Sequence, residues 1–166
     1  MKIYGNILSQ DLLDHCVKEI VELSDKCVWS SSSLRWEDSI KEGITGSCLQ
    51  CYVPGETQEK LIIELSEFFS DATEYKIQYY IWQKNSGIAH HNDGHHSIGA
   101  TIYLNETWNK NDGGLFVWYD EDDVVMRALC PTQNMIVIND EHQRHFVTQI
   151  SPLCDEPRYT IQLWID

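Results

Sequence analysis

His91 and Asp93 close the stretch Tyr79 to Asp93, YYIWQKNSGIAHHND, and set an imidazole and a carboxylate two residues apart. On an extended segment side chains alternate, so residues at this spacing point to the same side. Together they make two-thirds of the 2-His-1-carboxylate facial set that holds non-haem Fe(II). The third ligand in such a set is a single histidine far downstream. His142 and His145 are the candidates, in NDEHQRHFVTQI. His145 opens a β-type run, HFVTQI, where a strand can fix its side chain and aim it inward. His142 lies among Asp140, Glu141 and Gln143, which reads as a solvated turn. His91, Asp93 and His145 are therefore the expected metal ligands. Three protein ligands on one face leave open positions for a bidentate cosubstrate and O2.

A second chemical signal follows in RYTIQLWI, where Arg158 and Thr160 share one strand face. A guanidinium offers a planar fork that matches a carboxylate, and a hydroxyl beside it adds a donor. An arginine on a core strand needs a partner, because burying an unpaired charge is costly. A dicarboxylate ligand would supply that partner.

These residues need a scaffold, and the sequence suggests mainly β structure behind N-terminal helices. Ser9 can cap a helix running to about Lys26, with Leu12, Leu13, Cys16, Val17, Ile20, Val21 and Leu23 on its buried face. A second helix fits Thr57 to about Ser70, with Leu61, Ile62, Leu65, Phe68 and Phe69 on one side. Residues 28–56 read as an irregular loop containing Trp29 and Trp36, of the kind that forms lids or binding surfaces. From Tyr75 the chain turns to short β-type runs broken by polar turns: KIQYYIW, SIGATIYL, GGLFVWY, NMIVI, HFVTQI and RYTIQLWI. Such a series predicts a sandwich or barrel. One domain spanning 1–166 is expected, with 1–74 as helical support and loop and 75–166 as the β core.

Composition narrows the partners. The chain carries 26 acidic against 12 basic residues in 166, a formal charge of −14, which opposes binding to nucleic acid and to anionic membranes. MKIYGNILSQ has no signal-peptide pattern and no apolar run approaches a membrane span. Six scattered cysteines show no disulfide framework, which suggests a reducing, cytoplasmic location.

The order His91-x-Asp93, His145, Arg158-x-Thr160 resembles the Fe(II)/2-oxoglutarate-dependent dioxygenases, and among them the prolyl 4-hydroxylase-like group. The resemblance covers residues 78–165. Thr101-Ile102-Tyr103-Leu104-Asn105, Trp108 and Gly113-Gly114 are similar to that group's T-x-Y-L-N, W and GG text. His145-Phe146-Val147 resembles its H-x-V, and RYTIQLW its closing segment. The resemblance implies a double-stranded β-helix, or jelly roll, with Fe(II) on His91, Asp93 and His145. It implies that Arg158 binds the distal carboxylate of 2-oxoglutarate, assisted by Thr160 and Tyr103, with Trp164 as a wall. An upstream family tyrosine corresponds to Tyr79 or Tyr80, of which we take Tyr80. O2 is the other cosubstrate, and ascorbate is an accessory the resemblance allows. The implied reaction is hydroxylation of a C–H bond with release of succinate and CO2. A proline in a peptide or protein is the leading substrate, and a free amino acid or other small molecule the next.

Other readings of the same residues are plainer. His90, His95 and His96 crowd the first two ligands and read as neighbours or solvated groups. Cys48-x-x-Cys51 lacks the second pair that a zinc site needs, so two ordinary thiols are expected. Asp120-Glu121-Asp122-Asp123 reads as a solvated hairpin turn. A non-catalytic jelly-roll binding module and a cupin-like metal enzyme are the alternatives from other classes; the second leaves Arg158 without a role. A nucleic-acid demethylase is opposed by the charge and by the absence of N-x-T-x-R around Arg158.

Overall fold

The computed structural model describes residues 1–24, 40, 42–119 and 124–166. Two antiparallel sheets face each other. The first has six strands in the order β1-β9-β6-β11-β4-β3, and the second five in the order β2-β5-β10-β7-β8. The strands are β1 (Lys2–Gly5), β2 (Ile44–Thr45), β3 (Cys48–Tyr52), β4 (Tyr75–Trp82), β5 (Gly87–His91), β6 (Ile98–Tyr103), β7 (Phe116–Tyr119), β8 (Met126–Leu129), β9 (Met135–Asn139), β10 (His145–Val147) and β11 (Arg158–Ile165). This is the expected jelly-roll core.

Two helices cover the outer face of the six-stranded sheet. In α1 (Gln10–Ser24), Leu12, Leu13, Cys16 and Ile20 are buried. They meet Leu61 and Leu65 of α2 (Gly55–Leu65) and the outward residues Ile77, Tyr79, Ile81, Ile161 and Leu163 in one cluster. Ser9 caps α1 as expected, its hydroxyl accepting from Leu12 N at 3.4 Å. Val21, expected on the buried face, is 47% exposed instead. The apolar stripe is narrower than the sequence suggested.

The second helix is shorter and earlier than Thr57 to Ser70. It starts after Pro54 and ends at Leu65, where Ser66 Oγ donates to the Ile63 carbonyl. That local bond competes with helix continuation. Phe68 and Phe69 follow in tight turns, Phe68 N bonding Leu65 O and Phe69 N bonding Ser66 O, and Phe69 is buried against the core outside the helix.

The largest departure lies in residues 1–74. They are not only helices and a loop: β1 and β3 form the two edges of the six-stranded sheet, and β2 an edge of the other. Within the expected 28–56 loop, Gly46 at φ +68° turns the chain between β2 and β3, and a Cβ there would meet Asn85 O at 2.6 Å. β3 then pairs antiparallel with β4, Cys48 opposite Trp82 and Gln50 opposite Tyr80. Cys48, Gln50 and Cys51 are all buried, so this strand has no polar face to alternate with. Trp29, Trp36, the last turn of the first helix to Lys26 and the acidic stretch 120–123 lie outside the described residues.

Candidate metal centre and carboxylate pocket

The pleat of β11 organises one end of the space between the sheets. Its residue pairs place Arg158 opposite Trp82, Thr160 between Tyr80 and Tyr103, and Trp164 opposite Gly99. Directly opposed residues share a face, so all of these side chains point inward. Tyr79 points the other way, its hydroxyl donating to Glu19 Oε2 at 2.8 Å on the helix-covered face. Tyr80 is thus the tyrosine on the pocket side. Its hydroxyl donates to Gln78 Oε1 at 3.2 Å, and it packs in the inner cluster with Trp82 and Tyr103.

Facing this wall, the five-stranded sheet brings His145 on β10 directly opposite His91 at the end of β5. Asp93 follows two residues later. Ligand atoms of His91, Asp93 and His145 lie within 4.8 Å of one another, and among the described residues no other such group is found. Asp93 Oδ1 is 3.8 Å from His91 Nε2, and Oδ2 is 3.6 Å from His145 Nε2. Each imidazole is held from behind. His91 Nδ1 donates to Ala89 O at 2.8 Å and His145 Nδ1 to Gln143 O at 3.0 Å. A carbonyl can only accept, so both rings carry a proton on Nδ1 and turn Nε2 toward Asp93. Phe116 stacks on the His145 ring at 4.8 Å and fixes its plane. Burial, reinforced by the neighbouring His145, pushes the His91 pKa down to about 4, so this ring is neutral at physiological pH.

Two residues that the sequence did not single out shape this centre. Asn139 is buried, and its Nδ2 reaches Asp93 Oδ2 at 3.5 Å and Gln143 O at 3.1 Å. Gly99 lies where a Cβ would stand 2.5 Å from Asp93 Oδ2 and 3.2 Å from the Trp164 ring, so only glycine leaves room for the carboxylate. A glycine within a strand marks such a close approach, and that was the available signal.

Arg158 lines the same cavity as the triad, with Thr160 and Trp164. It is 2% exposed, and its Nε and Nη1 have no hydrogen-bond partner among the described residues. The buried Tyr103 Oη and Thr160 Oγ1 have none either. The guanidinium carbon lies 5.7 Å from the Trp82 ring centre and 5.3 Å from that of Tyr103. Burial lowers the pKa of Arg158, opposed by Tyr103. Four buried polar atoms without partners are costly, and a carboxylate is the group that would satisfy them together. The donor set of this pocket therefore suits a carboxylate.

The motif text around Arg158 serves to place it. Asn105 accepts from Tyr159 N at 2.7 Å and donates to Pro157 O at 2.9 Å, fixing the start of β11. Trp108 Nε1 donates to Gly113 O at 2.8 Å. Gly114, at φ +63°, passes so close that a Cβ would lie 3.3 Å from Arg158 Cδ.

The remaining candidates sit apart. His142 and His95 are exposed. His90 packs on Phe146 and Tyr119. His96 stacks on Trp164 at 5.2 Å and bonds Asp166 Oδ2 at 3.0 Å. Cys48 and Cys51 belong to opposite faces of β3, in different clusters, so they cannot share a metal or a disulfide. Burial raises both thiol pKa values, that of Cys51 to about 12, which keeps them protonated.

Comparison with known proteins agrees with this geometry. Residues 77–166 match the family model of the 2OG-Fe(II) oxygenase superfamily. The chain belongs to that superfamily and is a 2-oxoglutarate-dependent dioxygenase, a class that uses Fe(II), 2-oxoglutarate and O2. No curated protein matches it in sequence. Among solved structures it is similar to a Pseudomonas putida prolyl-4-hydroxylase, with 15% identity and a TM-score of 0.74 over 99% of this chain and 90% of that one. A Trichoplax adhaerens prolyl hydroxylase, solved with a hypoxia inducible factor oxygen degradation domain peptide fragment, gives 18% identity and a TM-score of 0.79, covering 99% and 82%. A viral collagen prolyl hydroxylase from Paramecium Bursaria Chlorella virus-1, solved with 2OG, gives 13% identity and 0.64, covering 99% and 94%. At these identities the likeness is one of fold. Among the described residues, no helix is long and apolar enough to cross a membrane.

Proposed function

We propose that this chain, acting as a single domain, hydroxylates a C–H bond, with His91, Asp93 and His145 holding Fe(II) and Arg158 holding 2-oxoglutarate. The carrying observation is the buried Arg158, with Nε and Nη1 unpartnered in the cavity that contains the metal-ligating cluster. When bound, the iron and cosubstrate supply the oxidising chemistry, which consumes O2 and releases succinate and CO2. The protein's own residues bind and orient. Arg158 offers its fork to the distal carboxylate, with Thr160 Oγ1 and Tyr103 Oη as further donors. Trp164 and Phe116 line the cavity and exclude water from the reacting end. Tyr80 backs this wall from β4, one strand away from Thr160.

A proline within a peptide or protein is the substrate we favour. Support comes from the prolyl hydroxylases of the same fold, one of them solved with a peptide fragment. The fold is also that of a non-haem alpha ketoglutarate dependent epimerase, at a TM-score of 0.69 and 10% identity, so substrate must be argued from activity. A free amino acid is the next substrate to test, and ascorbate the accessory reductant to include.

The test is an anaerobic titration of 2-oxoglutarate into Fe(II)-loaded protein, watching for the metal-to-ligand charge-transfer band. A saturating band that disappears in His91→Ala is expected. Succinate release is then compared with proline-containing peptides and with free proline. No band in iron-loaded wild type would overturn the assignment of Arg158. A band without substrate-stimulated succinate would favour a binding module.

A further inference from the structure

Asn139 ends β9 and is 2% exposed, a buried carboxamide with every polar group engaged. Its Oδ1 accepts from Gln143 N at 2.9 Å, closing the loop between β9 and β10. Its Nδ2 donates to Gln143 O at 3.1 Å, and that carbonyl also accepts from His145 Nδ1. The second amide hydrogen faces Asp93 Oδ2 at 3.5 Å. Asn139 Nδ2 and His145 Nδ1 are themselves 3.4 Å apart, two donors converging on one acceptor. One side chain thus touches the carboxylate ligand directly and fixes the acceptor that sets the tautomer of a histidine ligand. Gly99, cross-strand partner of Asn139, leaves open the space in which that carboxylate sits.

From this we propose that Asn139 is a positioning residue for the metal centre, orienting two of its ligands at once. The inference rests on the reading that His91, Asp93 and His145 bind a divalent metal. The chemistry requires an amide at this position. An acceptor is needed for Gln143 N and two donors for Gln143 O and Asp93, and of the uncharged side chains of this length only asparagine supplies both. Without it, His145 would lose the acceptor geometry that keeps its proton on Nδ1, and Asp93 would be free to rotate. Outer-shell partners of this type change metal affinity by about 10–100-fold when removed.

The experiment titrates Co(II) into wild type, Asn139→Ala and Asn139→Leu, reading affinity and the visible d–d spectrum, with His145→Ala as the site control. Asn134→Ala is the comparator. It also deletes a buried asparagine, one that directly precedes β9 and bonds the Leu8 N–H and carbonyl at 2.9 Å. The Asn139 variants should weaken Co(II) binding about 10–100-fold and alter the spectrum. Asn134→Ala should lower the melting temperature while leaving affinity and spectrum unchanged. Wild-type affinity and spectrum in the Asn139 variants would overturn the proposal while leaving the metal site intact. Wild type that fails to bind, or binds equally well after His145→Ala, would instead remove the metal reading and the proposal with it. A measurement independent of any variant is ¹⁵N NMR of the imidazoles in metal-free wild type. His145 should be the Nδ1–H tautomer; a predominantly Nε2–H ring overturns the proposal.

Discussion

The two ends of the cavity are built on opposite rules. At the triad, each histidine is braced through Nδ1 by a backbone carbonyl and Asp93 is approached by Asn139, so the metal-facing atoms are held before anything binds. At Arg158 the donors Nε, Nη1, Tyr103 Oη and Thr160 Oγ1 are buried and without a partner among the described residues. One end gains precision from internal hydrogen bonds; the other leaves its donors open. The difference teaches where stability and function pull apart. The braced groups are satisfied within the fold, whereas open buried donors cost it stability.

Arg158→Met should break the contrast most strongly. It removes the fork, and 2-oxoglutarate affinity should fall at least about 100-fold, since each charge-assisted bond contributes roughly 1.5–3 kcal/mol. Metal affinity should stay near wild type, and the unliganded protein should melt higher, because an unpaired buried charge has been replaced by an apolar chain. Parallel isothermal titrations and a thermal melt check all three. Loss of metal binding as well would make Arg158 structural.

Gly99→Ala attacks the braced end. The added Cβ meets Asp93 Oδ2 at 2.5 Å, so the carboxylate must move, and metal affinity should drop by about tenfold or more. Binding of 2-oxoglutarate should suffer mainly through the metal, with a smaller direct effect through the Trp164 ring 3.2 Å from the new Cβ, which a titration at saturating metal would separate.

Tyr103→Phe sharpens the comparison at smaller scale. Its hydroxyl is buried without a partner, so deleting it should leave unliganded stability unchanged or slightly raised. Affinity for 2-oxoglutarate should fall about five- to tenfold, the worth of roughly one hydrogen bond. Tyr79→Phe is the counterpart on the outer face. It removes the bond to Glu19, should cost about 1 kcal/mol in a denaturant melt, and should leave ligand affinity untouched. A change in ligand affinity there would contradict the strand register.

The chemistry-bearing residues were legible because they are local. A spacing of two along an extended chain brought out His91 with Asp93 and Arg158 with Thr160, and His145 stood out from His142 by the β-type run it opens. The strand runs from Tyr75 onward were readable for the same reason, through apolar patterning and turn residues. Where local signals compete, spacing alone misleads: α2 stops at Leu65, where Ser66 bonds back into the helix, although the apolar spacing continues through Phe68 and Phe69.

Only the tertiary structure decided the rest. β3 is covered on both faces, so Cys48, Gln50 and Cys51 carry no alternation, and the strand is defined by its pairing with β4. Tyr80 rather than Tyr79 faces the pocket because β4 pairs with β11 in one register, and a shift of one residue would exchange them. Asn139 and Gly99 matter through what lies across from them on neighbouring strands, 46 and 6 residues from Asp93 in the chain. Sequence specifies side-chain chemistry and local direction; which side chains meet is set by long-range pairing, and that is where this site is assembled.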